Sequence, residues 1–177
     1  VEDDKRAGEV IHRLRGLLRK DSLDFTPLDV GDTVSEVARL VSGDAALRNV
    51  SIRLELASDL PPARGDRVQL QQVVLNLVLN GLDAMRDSAA GNRTLVLRTA
   101  RQGPHTVCVT VRDSGTGIDA AHLAHIFDAF YTTKPDGLGM GLAIARSIVE
   151  AHGGTIAARS TEAPAPTHGT TITITLP

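Results

Sequence analysis

Residues 71–83 read Gln71-Gln72-Val73-Val74-Leu75-Asn76-Leu77-Val78-Leu79-Asn80-Gly81-Leu82-Asp83, and this stretch decides how the rest of the chain is arranged. Val73, Val74, Leu77, Val78 and Leu82 recur at helical spacing. Asp66 stands where a side-chain oxygen caps a helix start, so the pattern predicts a long helix through about Asp87. Asn76, Asn80 and Asp83, four and three residues apart, share one face of it, among Leu75, Val78, Leu79 and Leu82. A polar stripe turned to solvent is one reading. Against it, Asn and Asp are mediocre helix formers that a merely solvated face has no reason to choose, and amides set among aliphatics are costly unless bonded. Amide and carboxylate oxygens are also what a hard cation such as Mg²⁺ accepts, together with waters and phosphate oxygens.

On the N-terminal side, Val10, Ile11, Leu14, Leu17 and Leu18 predict an amphipathic helix over residues 1–20. Asp21 to Leu28, with Pro27, reads as a connection. Asp29 can cap a helix carrying Val30, Val34, Val37, Ala38 and Val41. Val50, Ile52, Leu54 and Leu56 alternate as a strand, and Pro61-Pro62 breaks the chain. On the C-terminal side, Gly91 and Asn92 turn into strands 94–101 and 106–112. A short helix near 119–126 and a polar glycine-rich loop at 131–139 follow. A further helix runs to about His152, where Gly153-Gly154 stops it, and strands 155–160 and 170–176 flank a Pro- and Thr-rich loop from Thr161 to Gly169. Helices beside a largely antiparallel sheet imply a two-layer α/β sandwich, with about three helices on a mixed sheet.

The bulk numbers suit one soluble domain: 177 residues, 42% hydrophobic and 23% charged. A net charge of −2 gives no electrostatic pointer to nucleic acid or to an anionic membrane. No apolar run reaches the roughly 18 residues of a membrane span. The single cysteine, Cys108, excludes an internal disulfide and a cysteine metal cluster, and reads as a small buried hydrophobe in a reducing compartment. The aromatics are only Phe25, Phe127, Phe130 and Tyr131. Three of these sit together, and that clustering asks for a mechanism.

Three more elements carry chemistry. In Arg112-Asp113-Ser114-Gly115-Thr116-Gly117-Ile118, a carboxylate at a strand end can accept from an exocyclic amine, while the glycines let backbone approach a flat ring. Taken alone, it is equally any tight turn. In Ile126 to Lys134, hydroxyls and an ammonium (Thr132, Thr133, Lys134) follow an aromatic anchor, as suits a phosphate-contacting loop pinned to the body. A helix ending in a hydrophobic patch would read the same way. Gly137-Leu138-Gly139-Met140-Gly141-Leu142 opens a helix whose free N–H groups attract phosphate, or it is a flexible linker. The Gly-x4-Gly-Lys-Ser/Thr phosphate loop is absent, and neither Gly137-x-Gly139 nor Gly139-x-Gly141 has the third glycine of a dinucleotide fingerprint, Leu142 and Ile144 standing there.

These four elements, in this order, resemble the ATP-binding domain of sensor histidine kinases, a Bergerat-fold branch of the family shared with gyrase, heat-shock chaperone and mismatch-repair ATPases. The resemblance covers about residues 26–177, with Gly169-Thr170-Thr171 also fitting. It implies ATP and Mg²⁺ as cofactors. Asn80 would hold Mg²⁺, with Asn76 beside the phosphates or the metal and Asp83 nearby. Asp113 would bind the adenine amine, supported by Gly115, Gly117, Ile118 and Thr170. Gly137, Leu138, Gly139, Met140, Gly141 and Leu142 would cradle phosphates at the mouth of a lid, with Thr132, Thr133 and Lys134 contacting lid or phosphate. Asn76, Asn80 and Lys134 would be the catalytic residues. Gly81 stands where the family usually has alanine, and Thr116 where proline is frequent.

The resemblance also separates kinase from ATPase. The ATPase branches place a water-activating glutamate where this chain has Asn76, an amide that cannot act as a general base. Phosphoryl transfer to an outside acceptor, which depends on positioning and charge stabilisation, is therefore expected over hydrolysis. A nucleotide-driven ATPase and a regulatory module without activity remain as alternatives. His12 lies beside Arg13 and Arg15, whereas the family's acceptor histidine is normally followed by an acidic residue. Residues 1–22 thus resemble the distal part of a dimerisation helix, with the acceptor upstream and residues 23–177 as the catalytic domain. His105, His122, His125, His152 and His168 read as surface or packing residues. The implied partners are the protein's own dimerisation domain and a response-regulator receiver domain, without nucleic acid or direct membrane contact. The parent protein is expected to be a cytoplasmic or membrane-anchored homodimer, and this chain a monomer.

Overall fold

A computed structural model of the protein describes residues 25–86, 88, 93–134, 137–161 and 168–177. The elements are β1 (Thr26–Leu28), α1 (Val30–Leu47), β2 (Ser51–Leu56), β3 (Ala63–Gly65), α2 (Arg67–Ala84), β4 (Thr94–Arg101), β5 (Val107–Asp113), α3 (Ala120–Leu123), α4 (Gly141–Ala151), β6 (Thr155–Thr161) and β7 (Gly169–Leu176). Five strands form one sheet in the order β2-β4-β5-β7-β6. β2 runs parallel to β4 and every other neighbouring pair is antiparallel. The mixed sheet with helices on one face is the expected two-layer sandwich.

Alternation decides which face is covered. Val107, Val109, Val111 and Asp113 of β5 are buried, as are Thr170, Ile172, Ile174 and Leu176 of β7. The residues between them, such as Thr110, Thr171 and Thr173, are half-exposed on the open face. Leu70, Val73, Val74, Leu77, Val78, Gly81 and Leu82 turn the apolar stripe of α2 into the core. α1 and α4 pack against α2, so α2 is the central helix of the layer. Its start is fixed twice. The Asp66 carboxylate accepts from the N–H groups of Val68 and Gln69, and the Asp66 N–H donates to His152 Nε2 at 2.9 Å. His152 Nδ1 in turn donates to the Ile148 carbonyl at 2.8 Å, so this buried imidazole ties the end of α4 to the start of α2. That places His152 among the packing residues, as expected.

Several boundaries differ from the sequence reading. Residues 26–28 are a strand rather than a connection, and 63–65 form its antiparallel partner. α2 ends at Ala84 instead of near Asp87. Arg93 accounts for that stop, donating to the carbonyls of Arg48, Arg86 and Ser88, which satisfies carbonyls where α1 and α2 both end. Cys108 is half-buried rather than buried. The N-terminal amphipathic pattern, the Gly91-Asn92 turn and most of the Thr161–Gly169 loop lie outside the described residues.

Candidate nucleotide site

β5 delivers Asp113 to one end of the sheet, where it is 6% exposed. Its Oδ1 accepts from the N–H of Gly115 at 2.8 Å and from the N–H of Thr170, at the start of β7, at 3.1 Å. Burial pushes the Asp113 carboxyl up from the ordinary carboxylate range, against the pull of those two N–H groups. A carboxylate has about four acceptor positions, so capacity remains for an exocyclic amine. The turn after it is rigid. A Cβ on Gly115 would stand 2.6 Å from the Ala84 carbonyl oxygen, so glycine lets the turn lie directly on the end of α2. His168 Nδ1 donates to the Gly115 carbonyl at 2.6 Å, and Ser160 Oγ accepts from the Ile118 N–H at 2.8 Å. Ser160 also donates to the Gly169 carbonyl. The β6–β7 edge thus fixes both ends of the Gly115–Ile118 turn.

The polar face of α2 runs alongside. Asn76 Nδ2 donates to the carbonyl of Gly141, the first residue of α4, at 3.2 Å. Asn80 Oδ1 and Asp83 Oδ2 both accept from the Lys134 ammonium, at 3.3 and 2.8 Å. Asp83 Oδ1 accepts from Arg48 at 2.8 Å, and the same guanidinium reaches Asp44. Burial alone would raise the Asp83 carboxyl, but Lys134 and Arg48 outweigh it and hold it below the ordinary range. Two hard oxygens one helical turn apart therefore converge on one cationic atom. The ammonium is a stand-in that shows the pair fits a small cation. Among the described residues no group of three or more His, Cys, Asp or Glu could hold a metal. An ion here would complete its shell with phosphate oxygens and water. Gly81 joins the two halves. A Cβ there would meet Leu95 Cδ1 at 2.6 Å and Asp113 Cβ at 3.5 Å, so Leu95 fills the room an alanine methyl would need.

The connecting loop is seated on the body by fewer residues than its composition suggests. Ile126 is buried and Phe127 packs against the core. Phe130 is 75% exposed with φ +67°, so it is not an anchor. The Tyr131 hydroxyl meets His122 Nδ1 at 2.5 Å, and Thr132 Oγ1 accepts from the Lys134 N–H. Thr133 is exposed. Gly139 has φ +64°, and a Cβ on it would lie 2.5 to 2.7 Å from the backbone of Phe130 and Tyr131, so the glycine run lies flat on the aromatic turn. Leu138 is exposed, Met140 buried, and Leu142 packs against the core. α1, α2 and α3 each start with an aspartate cap, whereas no side chain caps α4 at Met140. The start of α4 therefore presents N–H groups suited to an anion.

The fold thus brings Asn76, Asn80, Asp83, Lys134 and Gly141 together, and beside them Asp113, Gly115 and Thr170. Arg48, Ser160 and His168 escaped the sequence reading as site residues, because the bond by which each meets the site spans at least 35 residues of chain. An apolar hollow lined by Phe25, Pro62, Arg64, His105, His152 and Pro177 lies at the opposite end of β5 and β7 and has none of this chemistry. No helix among the described residues is long and apolar enough to cross a membrane.

Residues 65–177 match the family model described as histidine kinase-, DNA gyrase B-, and HSP90-like ATPase. The chain is 35% identical over 173 residues to the C4-dicarboxylate transport sensor protein DctS of Rhodobacter capsulatus, covering 98% of this chain and 26% of that one. It spans 16 to 27% of the length of three curated relatives it matches. Full-length ShkA in complex with AMPPNP superposes with a TM-score of 0.79 at 27% identity, over 95% of this chain and 34% of that one. Histidine kinase ThkA in complex with the response regulator TrrA gives the same TM-score at 24% identity, over 99% and 48%, a likeness of fold alone.

Proposed function

The chain belongs to the family of histidine kinase-, DNA gyrase B- and HSP90-like ATPases, and from that membership we propose that it is the ATP-binding catalytic domain of a two-component sensor histidine kinase. It positions the γ-phosphoryl group of ATP for transfer to a histidine on a dimerisation domain, for relay to a response regulator. The observation that carries this reading is the convergence of Asn80, Asp83, Lys134 and the uncapped start of α4 beside the buried Asp113. Asp113 receives the adenine amine, and the Gly115–Ile118 turn lies against the ring. Asn80 holds Mg²⁺ together with phosphate oxygens, and the N–H groups at the start of α4 receive the phosphates. Bound Mg²⁺ supplies neutralising charge on the transferred phosphoryl group.

Asn76 supports transfer over hydrolysis. Its amide has no basic pair to activate water, and it is engaged with the Gly141 carbonyl, where it sets the start of α4 against α2. The same reading takes residues 23–177 as the catalytic domain and residues 1–22 as part of the dimerisation domain.

The test supplies a folded dimerisation hairpin in trans with labelled ATP. Acid-labile, base-stable label on the hairpin is expected. A folded hairpin that stays unlabelled while the chain binds nucleotide would end the kinase reading, and steady phosphate release without acceptor would favour the ATPase. Asn80→Asp, which sets a second carboxylate beside Asp83 and against the phosphates, is expected to slow transfer about tenfold or more, the scale of an altered metal surrounding.

A further inference from the structure

Asn80 Oδ1 and Asp83 Oδ2 point at one nitrogen, and Asp83 does not owe that direction to Lys134. Its other oxygen is fixed by Arg48, which Asp44 fixes in turn. The seat thus belongs to the body of the domain, while its occupant comes from the loop after the aromatic turn. We propose that Asn80 and Asp83 form a single cation seat filled by the Lys134 ammonium until a divalent ion replaces it, so that metal loading and release of Lys134 are one exchange. Asp83 is then a ligand of the metal beside Asn80, and the lysine is a tethered competitor of the metal.

This rests on the site being a Mg²⁺-ATP site. Two cations on the same two oxygens repel each other at contact distance, so that occupancy by one disfavours the other. A divalent ion carries twice the charge of the ammonium, but it surrenders hydration reluctantly. It therefore takes the seat weakly, in the millimolar range, when alone and more firmly when phosphate oxygens arrive with it. Lys134 is a point charge on a flexible stem. Once displaced, its nearest strong anion is the same phosphate chain. The pair is substantially exposed, at 43% for Lys134 and 31% for Asp83, so the competition is modest in size.

Mn²⁺ alone is the probe, titrated into the nucleotide-free chain and followed by electron paramagnetic resonance. Lys134→Met should bind Mn²⁺ about two- to fivefold more tightly than the unaltered chain, the range of an exposed ion pair. Asp83→Asn should weaken Mn²⁺ binding and erase the effect of Lys134→Met in the double variant. Lys134 is exposed, so Lys134→Met keeps the fold, checked by circular dichroism, and it decides the matter even where Asp83→Asn is unstable. Mn²⁺ binding by Lys134→Met that is equal or weaker overturns the proposal, as does no detectable binding to either protein at millimolar Mn²⁺. A fluorescent ATP analogue titrated with Mg²⁺ present separates the two readings. Its failure to bind would remove the nucleotide site, whereas binding with an unchanged Mn²⁺ comparison would remove only the exchange.

Discussion

Asp113 and Asp83 flank the same glycine, Gly81, yet they are built in opposite ways. Asp113 is buried, bonded to backbone N–H groups, and pushed up by desolvation. Asp83 is half-exposed, bonded to two cationic side chains, and held down by them. A ring recognised by one hydrogen bond needs a donor–acceptor geometry that does not move, and backbone of a sheet edge supplies it. Phosphates and metal arrive with several charges, and long side chains can exchange partners among them. On the proposed reading, the adenine end is a preformed mould and the phosphate end a set of replaceable ion pairs. The two ends should answer mutation and pH differently.

The largest effect is expected at the mould. Asp113→Asn keeps an oxygen for the Gly115 and Thr170 N–H groups but turns an NH₂ toward the adenine amine. Loss of a charged hydrogen bond plus an unsatisfied donor amounts to about 3 kcal/mol, or roughly 100-fold in affinity, read by titration with a fluorescent ATP analogue. Apo stability should move the other way. A carboxyl whose pKa is raised in the folded state contributes stability below its unfolded value and loses it as pH rises through the raised value. Asp113→Asn should therefore melt at the same or a higher temperature at pH 8, the advantage shrinking toward acid pH. Unchanged ATP affinity would remove Asp113 from the site and break the contrast.

Next is Gly139→Ala, which strains only the phosphate end. At φ +64°, with the backbone of Phe130 and Tyr131 within 2.7 Å of the added Cβ, nothing soft can yield. Forcing the loop off the aromatic turn costs about 1–3 kcal/mol, so ATP affinity should fall about tenfold. Adenosine, followed by chemical shifts near Asp113, should bind as before. Equal losses for both ligands would mean that the two ends move as one unit.

Much of this was legible in the sequence, for reasons that also explain the gaps. α1, α2 and α4 each carry an apolar stripe at helical spacing, and the Asp29 and Asp66 caps stand where the chain enters α1 and α2. β1 and β3 are three residues each, too short to show a period, and Pro27 and Pro61-Pro62 made both look like breaks. The aromatic cluster showed that a loop is pinned, but periodicity could not tell that Phe127 is the pin while Phe130 stands in solvent. Asn80 and Asp83 were singled out together on one helix face and Lys134 in a separate element. That Lys134 bridges the other two is a fact of packing, since the lysine lies more than 50 residues beyond both.

The smallest expected effect tests whether the phosphate end is as replaceable as it looks. In Lys134→Met without nucleotide, Asp83 keeps Arg48 as its partner, so no charge is left buried and alone. The cost to stability should stay within about 1 kcal/mol, as for exposed pairs, and shrink further in high salt. Its pH dependence has a definite sign. A carboxyl whose folded pKa is lowered contributes stability above its unfolded value and loses it as pH falls through the lowered one. The difference in melting temperature between the unaltered chain and Lys134→Met should therefore be present at neutral pH. It should vanish on acidification below the ordinary carboxylate range, as the Asp113→Asn difference does, but with the opposite sign, the unaltered chain being the more stable here. A loss of several kcal/mol, insensitive to salt, would mean that Lys134 is structural. The site would then consist of two moulds rather than one mould and an exchangeable set of charges.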